Sequence, residues 1–174
     1  KIADGVQLAD KRLIEAEIGC EREEEDEPLG TRRFFMRDGP AWTNPGILNP
    51  DIVKPAGPVD PEIDVLCARQ QNGRAISVLA NYAMHYGGLS PTEKGEDMYT
   101  ISADYFGVFS EMIQRLRGER FVAILANGAC GDVIMFDAMK PHKNVNRYFG
   151  HAECVAALVA AKALWAWNQM EFHS

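Results

Sequence analysis

The sequence predicts a mixed α/β domain, with a largely buried β-sheet flanked by helices. Three observations predict it. Ile63 to Arg69 and Ala75 to about His85 are strand-like runs joined by Gln71-Asn72-Gly73-Arg74, and an Asn-Gly pair supplies the positive φ angles that a tight hairpin needs. Phe121 to Ala126 is a short, fully apolar run, the signature of a buried strand. Two helical stretches complete the alternation, one from about Ala103 to Leu116 and a long Ala- and Leu-rich one from roughly Tyr148 to Met170.

The chain opens on a helical pattern, Ile2, Val6, Ala9 and Leu13, and Glu15 to Glu23 reads as a short strand. The run Glu21-Arg22-Glu23-Glu24-Glu25-Asp26-Glu27 reads as a solvated acidic loop rather than a calcium site. Thr31 to Arg37 alternates enough for a strand, and Asp38-Gly39 closes it as a turn. Residues 40–61 carry six of the nine prolines. Each proline removes a backbone donor, which excludes a helix or a central strand there. Trp42, Ile47, Leu48, Ile52 and Val53 give the stretch apolar anchors, so an ordered loop is expected.

The second hairpin strand is apolar at Ile76, Val78, Leu79 and Ala80 and is expected to be central. It runs into Met84-His85-Tyr86-Gly87-Gly88, where glycines let the backbone leave the sheet. After a Gly- and acid-containing loop, Ser102 can cap the next helix and Gly118 sits just past its end. The last strand flows into Asn127-Gly128-Ala129-Cys130-Gly131-Asp132. Cys20, Cys67, Cys130 and Cys154 form no Cys-x-x-Cys pair, which excludes zinc-ribbon and thioredoxin-like sites. Cys67 and Cys154 lie in apolar runs and are expected to be buried free thiols.

With 47% hydrophobic and 25% charged residues the composition is that of a globular protein. A net charge of -7 argues against nucleic acid or an anionic membrane surface as the main partner. No signal peptide or membrane-spanning run is seen. The first residue is Lys1, not Met, and the helical pattern begins uncapped, so residues 1–174 are read as an internal part of one larger catalytic domain.

Few side chains qualify for chemistry. His85, at the end of a buried strand, occupies the place where α/β folds put functional groups. A lone histidine there is more often a satisfied core or turn residue, and a zinc site needs three or four ligands. His142, His151 and His173 make no ligand pattern with it. Asn127 and Gly128 begin a loop whose backbone amides can face an oxyanion, or can simply make a tight turn. Cys130 has no histidine placed beside it by sequence. Arg32 and Arg33 must face opposite ways on a strand, and one can reach a buried anion or remain a surface ion pair. Asp104 is placed to complement a helix dipole.

Taken in order, three stretches resemble the catalytic N-terminal domain of the neutral/alkaline ceramidase family. They are Gly73-Arg74-Ala75-Ile76-Ser77-Val78-Leu79-Ala80-Asn81-Tyr82-Ala83-Met84-His85, Ile101-Ser102-Ala103-Asp104-Tyr105-Phe106-Gly107 and Phe121 to Val133. The resemblance implies a zinc-dependent hydrolase acting on the amide of an N-acyl, sphingolipid-like substrate. His85 falls on one of the family's zinc-binding histidines, and the family's other ligands have no counterpart in this chain. Arg32 falls near the arginine that assists the substrate carbonyl, with Arg33 as the other register and Asn127 and Gly128 beside the substrate. Asp104 and Asp132 are expected to support loop geometry. The family's Gly-Asp-Val-Ser-Pro-Asn is here Gly131-Asp132-Val133-Ile134-Met135-Phe136, and Thr31 replaces the usual Asn. These departures keep open a different zinc hydrolase on the same fold, or a binding domain that has lost the metal. A small-molecule or lipid partner, an extracytoplasmic location and peripheral membrane contact of the full-length protein are inherited from the family in the same way.

Overall fold

The computed structural model describes residues 1–87, 101–141 and 150–174. The main sheet has four strands in the order β1 (Glu17–Glu24), β6 (Glu62–Arg69), β7 (Ala75–Tyr82) and β8 (Val122–Asn127). β6 and β7 form the predicted antiparallel hairpin, and Gly73 takes φ +84° in its turn. β7 pairs parallel with β8, with helix α2 (Asp104–Arg117) between them in sequence. That βαβ connection places β7 in the interior of the sheet, as its apolar run predicts.

Alternation decides which face is covered. Ile63, Val65, Cys67, Val78, Ala80, Tyr82, Ala123 and Leu125 point to one face and are buried. Tyr105, Phe109 and Ile113 of α2 pack there with Val155, Val159 and Ala163 of α3 (Gly150–Gln169) in a single core. The opposite face carries Cys20, Leu66, Leu79 and Ile124 in one register row, and Leu66, Leu79 and Ile124 are exposed. The helices therefore flank the sheet on one side.

The smaller parts surround this unit. Helix α1 (Ile2–Asp10) buries no residue. β2 (Gly30–Thr31) pairs antiparallel with β9 (Val133–Ile134). β3 (Arg33–Met36) sits between β4 (Ala41–Thr43) and β5 (Ile52–Pro55) in a three-stranded sheet. The proline-rich stretch is therefore ordered, but it is more than a loop: it supplies two edge strands, the positions that tolerate a missing donor. Among the described residues no helix is long and apolar enough to cross a membrane.

Two expectations are corrected. The acidic run does not lie wholly in a loop, because Glu21 to Glu24 belong to β1. Arg22 makes this tolerable by pairing with Glu62 (3.0 Å) and Asp64 (2.9 Å) on the neighbouring strand. Cys154 is exposed rather than buried, because its position on α3 faces away from the core. Cys67 is buried as expected.

Candidate functional site

The site is set by the register of the parallel pair. Tyr82 of β7 stands opposite Asn127 of β8, and both strands end there. His85 and Cys130 each lie three residues beyond those partners. The two chains leave the sheet side by side, and Cys130 Sγ comes within 3.9 Å of His85 Nδ1. The sequence separation of 45 hides this pair from local reading. The parallel register of Tyr82 with Asn127 is the signal that could have revealed it.

The His85 segment is held from three directions. Its backbone N–H donates to the Val133 carbonyl (3.3 Å). The Tyr105 hydroxyl donates to the Met84 carbonyl at 2.6 Å. The Asp104 carboxylate accepts from the Gly87 amide at 3.0 Å and from the Tyr105 amide at 2.7 Å. Asp104 is buried at a positive φ of 50°, and the Ser102 hydroxyl accepts from its amide (3.0 Å). The first turn of α2 thus clamps the histidine segment on both sides. Burial, reinforced by Cys130 and Asp104, pushes the Tyr105 phenol far above its ordinary range, so it stays a donor. His85 also stacks on Tyr86, with ring centroids 4.9 Å apart.

The arginines divide because the strand expected over Thr31 to Arg37 is broken by a bend at Arg32, between β2 and β3, while Arg33 begins β3. The Arg33 guanidinium pairs with Asp132 through Nε and Oδ1 at 2.8 Å, both half-exposed. The Arg32 amide donates to the Asp132 carbonyl at 2.8 Å. Arg32 and His85 therefore hang from adjacent residues, Asp132 and Val133. Arg32 Nε is buried and has no hydrogen-bond partner among the described residues. Its side chain borders a cavity of about 80 Å³ with Phe34, Asn44, Ile47 and Phe136 among its walls.

The expected oxyanion amides are not both available. Gly128 N–H donates to the Tyr82 carbonyl at 3.0 Å, so it closes the β7–β8 junction instead of facing an open site. A side chain at Gly128 would meet Asn81 Oδ1 at 2.8 Å and Ala83, so close backbone approach explains the glycine. Asn127 is exposed at the end of β8. His151 lies on α3 beside a separate cavity of about 250 Å³, and His173 pairs by backbone with Ile18. His142 lies outside the described residues.

Zinc accepts imidazole nitrogen and thiolate sulfur, so His85 and Cys130 are donors of the right chemistry. Among the described residues no group of three His, Cys, Asp or Glu gathers. A complete metal site therefore needs donors from beyond them.

No family model and no curated protein matches this sequence. Solved structures do match. The neutral ceramidase from Pseudomonas aeruginosa superposes with a TM-score of 0.69 at 19% identity, covering 97% of this chain and 25% of its own. A ceramidase complexed with C2 gives 0.68 at 20% identity, with the same coverage of each chain. The chain has a ceramidase-like fold. It spans about a quarter of the length of these ceramidase structures.

Proposed function

We propose that this chain contributes part of the active site of a zinc-dependent amidohydrolase, acting on the amide of an N-acyl, sphingolipid-like substrate. The observation that carries the reading is the buried Arg32 Nε, without a partner among the described residues and held two backbone hydrogen bonds from a clamped histidine. A buried guanidinium nitrogen without an acceptor costs about 1–3 kcal/mol or more. A substrate carbonyl is the acceptor that would repay that cost during turnover. When bound, zinc supplies a Lewis acid and lowers the pKa of its water to about 7.

The chain's own residues then have separate tasks. His85 offers an imidazole nitrogen to the metal, oriented by the Met84 and Gly87 contacts of α2. Arg32 donates to the carbonyl oxygen as negative charge develops on it. Arg33 and Asp132 neutralise each other and hold the loop that carries both. Asp104 holds the backbone and takes no part in proton transfer. The fold neighbours support this reading, with a lipid-like substrate and an extracytoplasmic location of the full-length protein as parts of the same proposal.

One observation favours a second reading. Where the ceramidase pattern has Ser-Pro, Ile134 belongs to β9 and Met135 is buried. That stretch serves packing here, which suits a zinc hydrolase cleaving another amide or an ester.

The test is zinc content and amidase activity of the full-length protein beside its His85→Ala variant. The proposal expects about one zinc per chain, as a single-metal site requires, and loss of both metal and turnover in the variant. Wild type that binds no zinc and cleaves no N-acyl substrate would make His85 structural and leave a binding domain.

A further inference from the structure

We infer that Phe136 closes a short acyl pocket beside Arg32 and so sets an upper limit on the length of the N-acyl group. This rests on the reading of Arg32 as the partner of the substrate carbonyl and narrows the substrate class of that site. Three observations carry it.

The first is volume. The cavity bordered by Arg32 holds about 80 Å³, and its walls include Phe34, Ile47, Ile134, Phe136 and Ala138. At about 30 Å³ for each water-sized group, it takes roughly two or three carbon atoms. An acyl group whose carbonyl is held by Arg32 therefore has room behind it for a chain of butyryl length. The largely apolar walls suit acyl carbons, whereas a hydroxylated amine would leave its polar groups unpaired there.

The second is the neighbouring space. A cavity of about 250 Å³, with Met135, Val155 and Leu158 among its walls, adjoins the first at Phe136. Among the described residues Phe136 alone lines both. The larger cavity would accept roughly eight more carbon atoms, so one aromatic ring separates a site for a short acyl group from a space for a long one. This is also a position where the sequence departs from the ceramidase pattern, which has Asn in place of Phe136.

The third is rigidity. Phe136 packs against the cluster of Phe34, Met36 and Ala138. Its backbone lies against β2, where a side chain at Gly30 would meet the Phe136 carbonyl carbon at 2.7 Å. The loop over the small cavity is tied at both ends. Asn44 N–H donates to the Arg32 carbonyl at 2.7 Å, and Leu48 N–H donates to the Ala138 carbonyl at 2.8 Å. Asn44 and Leu48 hold positive φ angles of 52° and 53°, conformations that persist only where the surroundings fix them. Walls packed in this way exclude by size instead of yielding.

The chain-length profile of the full-length protein tests this. It is measured as kcat/KM on one amine carrying acetyl, butyryl or decanoyl groups, for wild type, Phe136→Ala and Phe136→Leu, with circular dichroism to confirm folding. Each methylene that a closed pocket rejects costs about tenfold or more. Wild type is therefore expected to favour butyryl over decanoyl by about a hundredfold or more, and Phe136→Ala to reduce that ratio at least about tenfold, with Phe136→Leu between them. The ratio is the readout because a general loss of packing lowers both substrates alike. Should Phe136→Ala not fold, Phe136→Leu, which keeps an apolar side chain, decides the question. Equal cleavage of butyryl and decanoyl amides by wild type overturns the short pocket. A preference for butyryl that is unchanged in the folded variants places the limit elsewhere and overturns the role of Phe136. Either result leaves the hydrolase reading standing, whereas wild type that cleaves none of the series overturns both.

Discussion

Arg32 and Arg33 are chemically identical neighbours, and the backbone alone makes them different. Arg33 opens β3 and points outward onto Asp132 at 2.8 Å, whereas Arg32 sits at the bend between β2 and β3 and its buried Nε finds no partner among the described residues. An exposed ion pair contributes little, about 0–1 kcal/mol, whereas removing one preorganised oxyanion donor lowers kcat by about 10²–10³. Arg32→Ala is therefore expected to lose about that much kcat/KM on an N-acyl substrate, with partial recovery in Arg32→Lys, and Arg33→Ala to lose less than about tenfold. Steady-state kinetics of the three variants check this, and equal losses for both alanine variants would remove the distinction. At this scale the sequence pointed to two arginines facing different ways, but for another reason, because the strand expected over Thr31 to Arg37 is interrupted by a bend at Arg32. It did not carry Cys130 beside His85, because that contact depends on the register of two strands separated by a helix. Nor could it show that the Gly128 amide is engaged, since its acceptor, the Tyr82 carbonyl, lies on another strand.

At the scale of elements, the strongest local signals were the most informative. The Asn72-Gly73 hairpin, the interior position of β7, the helix ending at Gly118 and the apolar β8 all follow from patterns spanning a few residues. The acidic run was misleading for a physical reason. Like charges along a strand are tolerated where cations are interleaved with them: Arg22, within the run itself, is shared between Glu62 and Asp64 of β6, and Lys162 of α3 reaches Glu23 at 3.8 Å. The proline-rich stretch hid two short strands because a proline at an edge breaks no ladder. The joint between α2 and the His85 segment was only half visible. Asp104 read as a dipole partner, yet its carboxylate reaches the Gly87 amide, and Tyr105 holds the Met84 carbonyl at 2.6 Å. Tyr105→Phe keeps the ring and leaves that buried carbonyl unpaired. It is expected to cost about 1–3 kcal/mol in a denaturant midpoint and to weaken zinc binding by roughly tenfold through a loosened His85. An unchanged zinc affinity would show that the clamp serves stability alone.

For the whole molecule, the layer of helices on one sheet face decides which titratable groups are sealed. β8 is apolar from Val122 to Ala126, yet Val122 and Ile124 are exposed because no described element covers the second face. The covered face seals Cys67, Tyr82 and Tyr105. Burial raises the Cys67 thiol from its ordinary 9.0 to about 12, with Arg117 opposing and Cys20 adding to the shift. Burial likewise raises both tyrosines. A raised folded pKa means that the folded state keeps its proton while the unfolded chain loses it. The stabilisation is complete below the unfolded value near 9.0 and is lost as pH climbs through the window up to about 12. Stability is therefore expected to be level near neutrality and to fall above about pH 9, by on the order of 1 kcal/mol per pH unit from the thiol alone. Cys67→Ala lowers stability at neutral pH by opening a small void, but it removes the thiol's share of the alkaline slope. Urea midpoints of both proteins between about pH 7 and about pH 10.5 separate the two effects, because the void is insensitive to pH and the proton is not. Parallel curves for wild type and variant would mean that Cys67 ionises freely in the folded protein, and that the packing of α2 and α3 over β6 is looser than described.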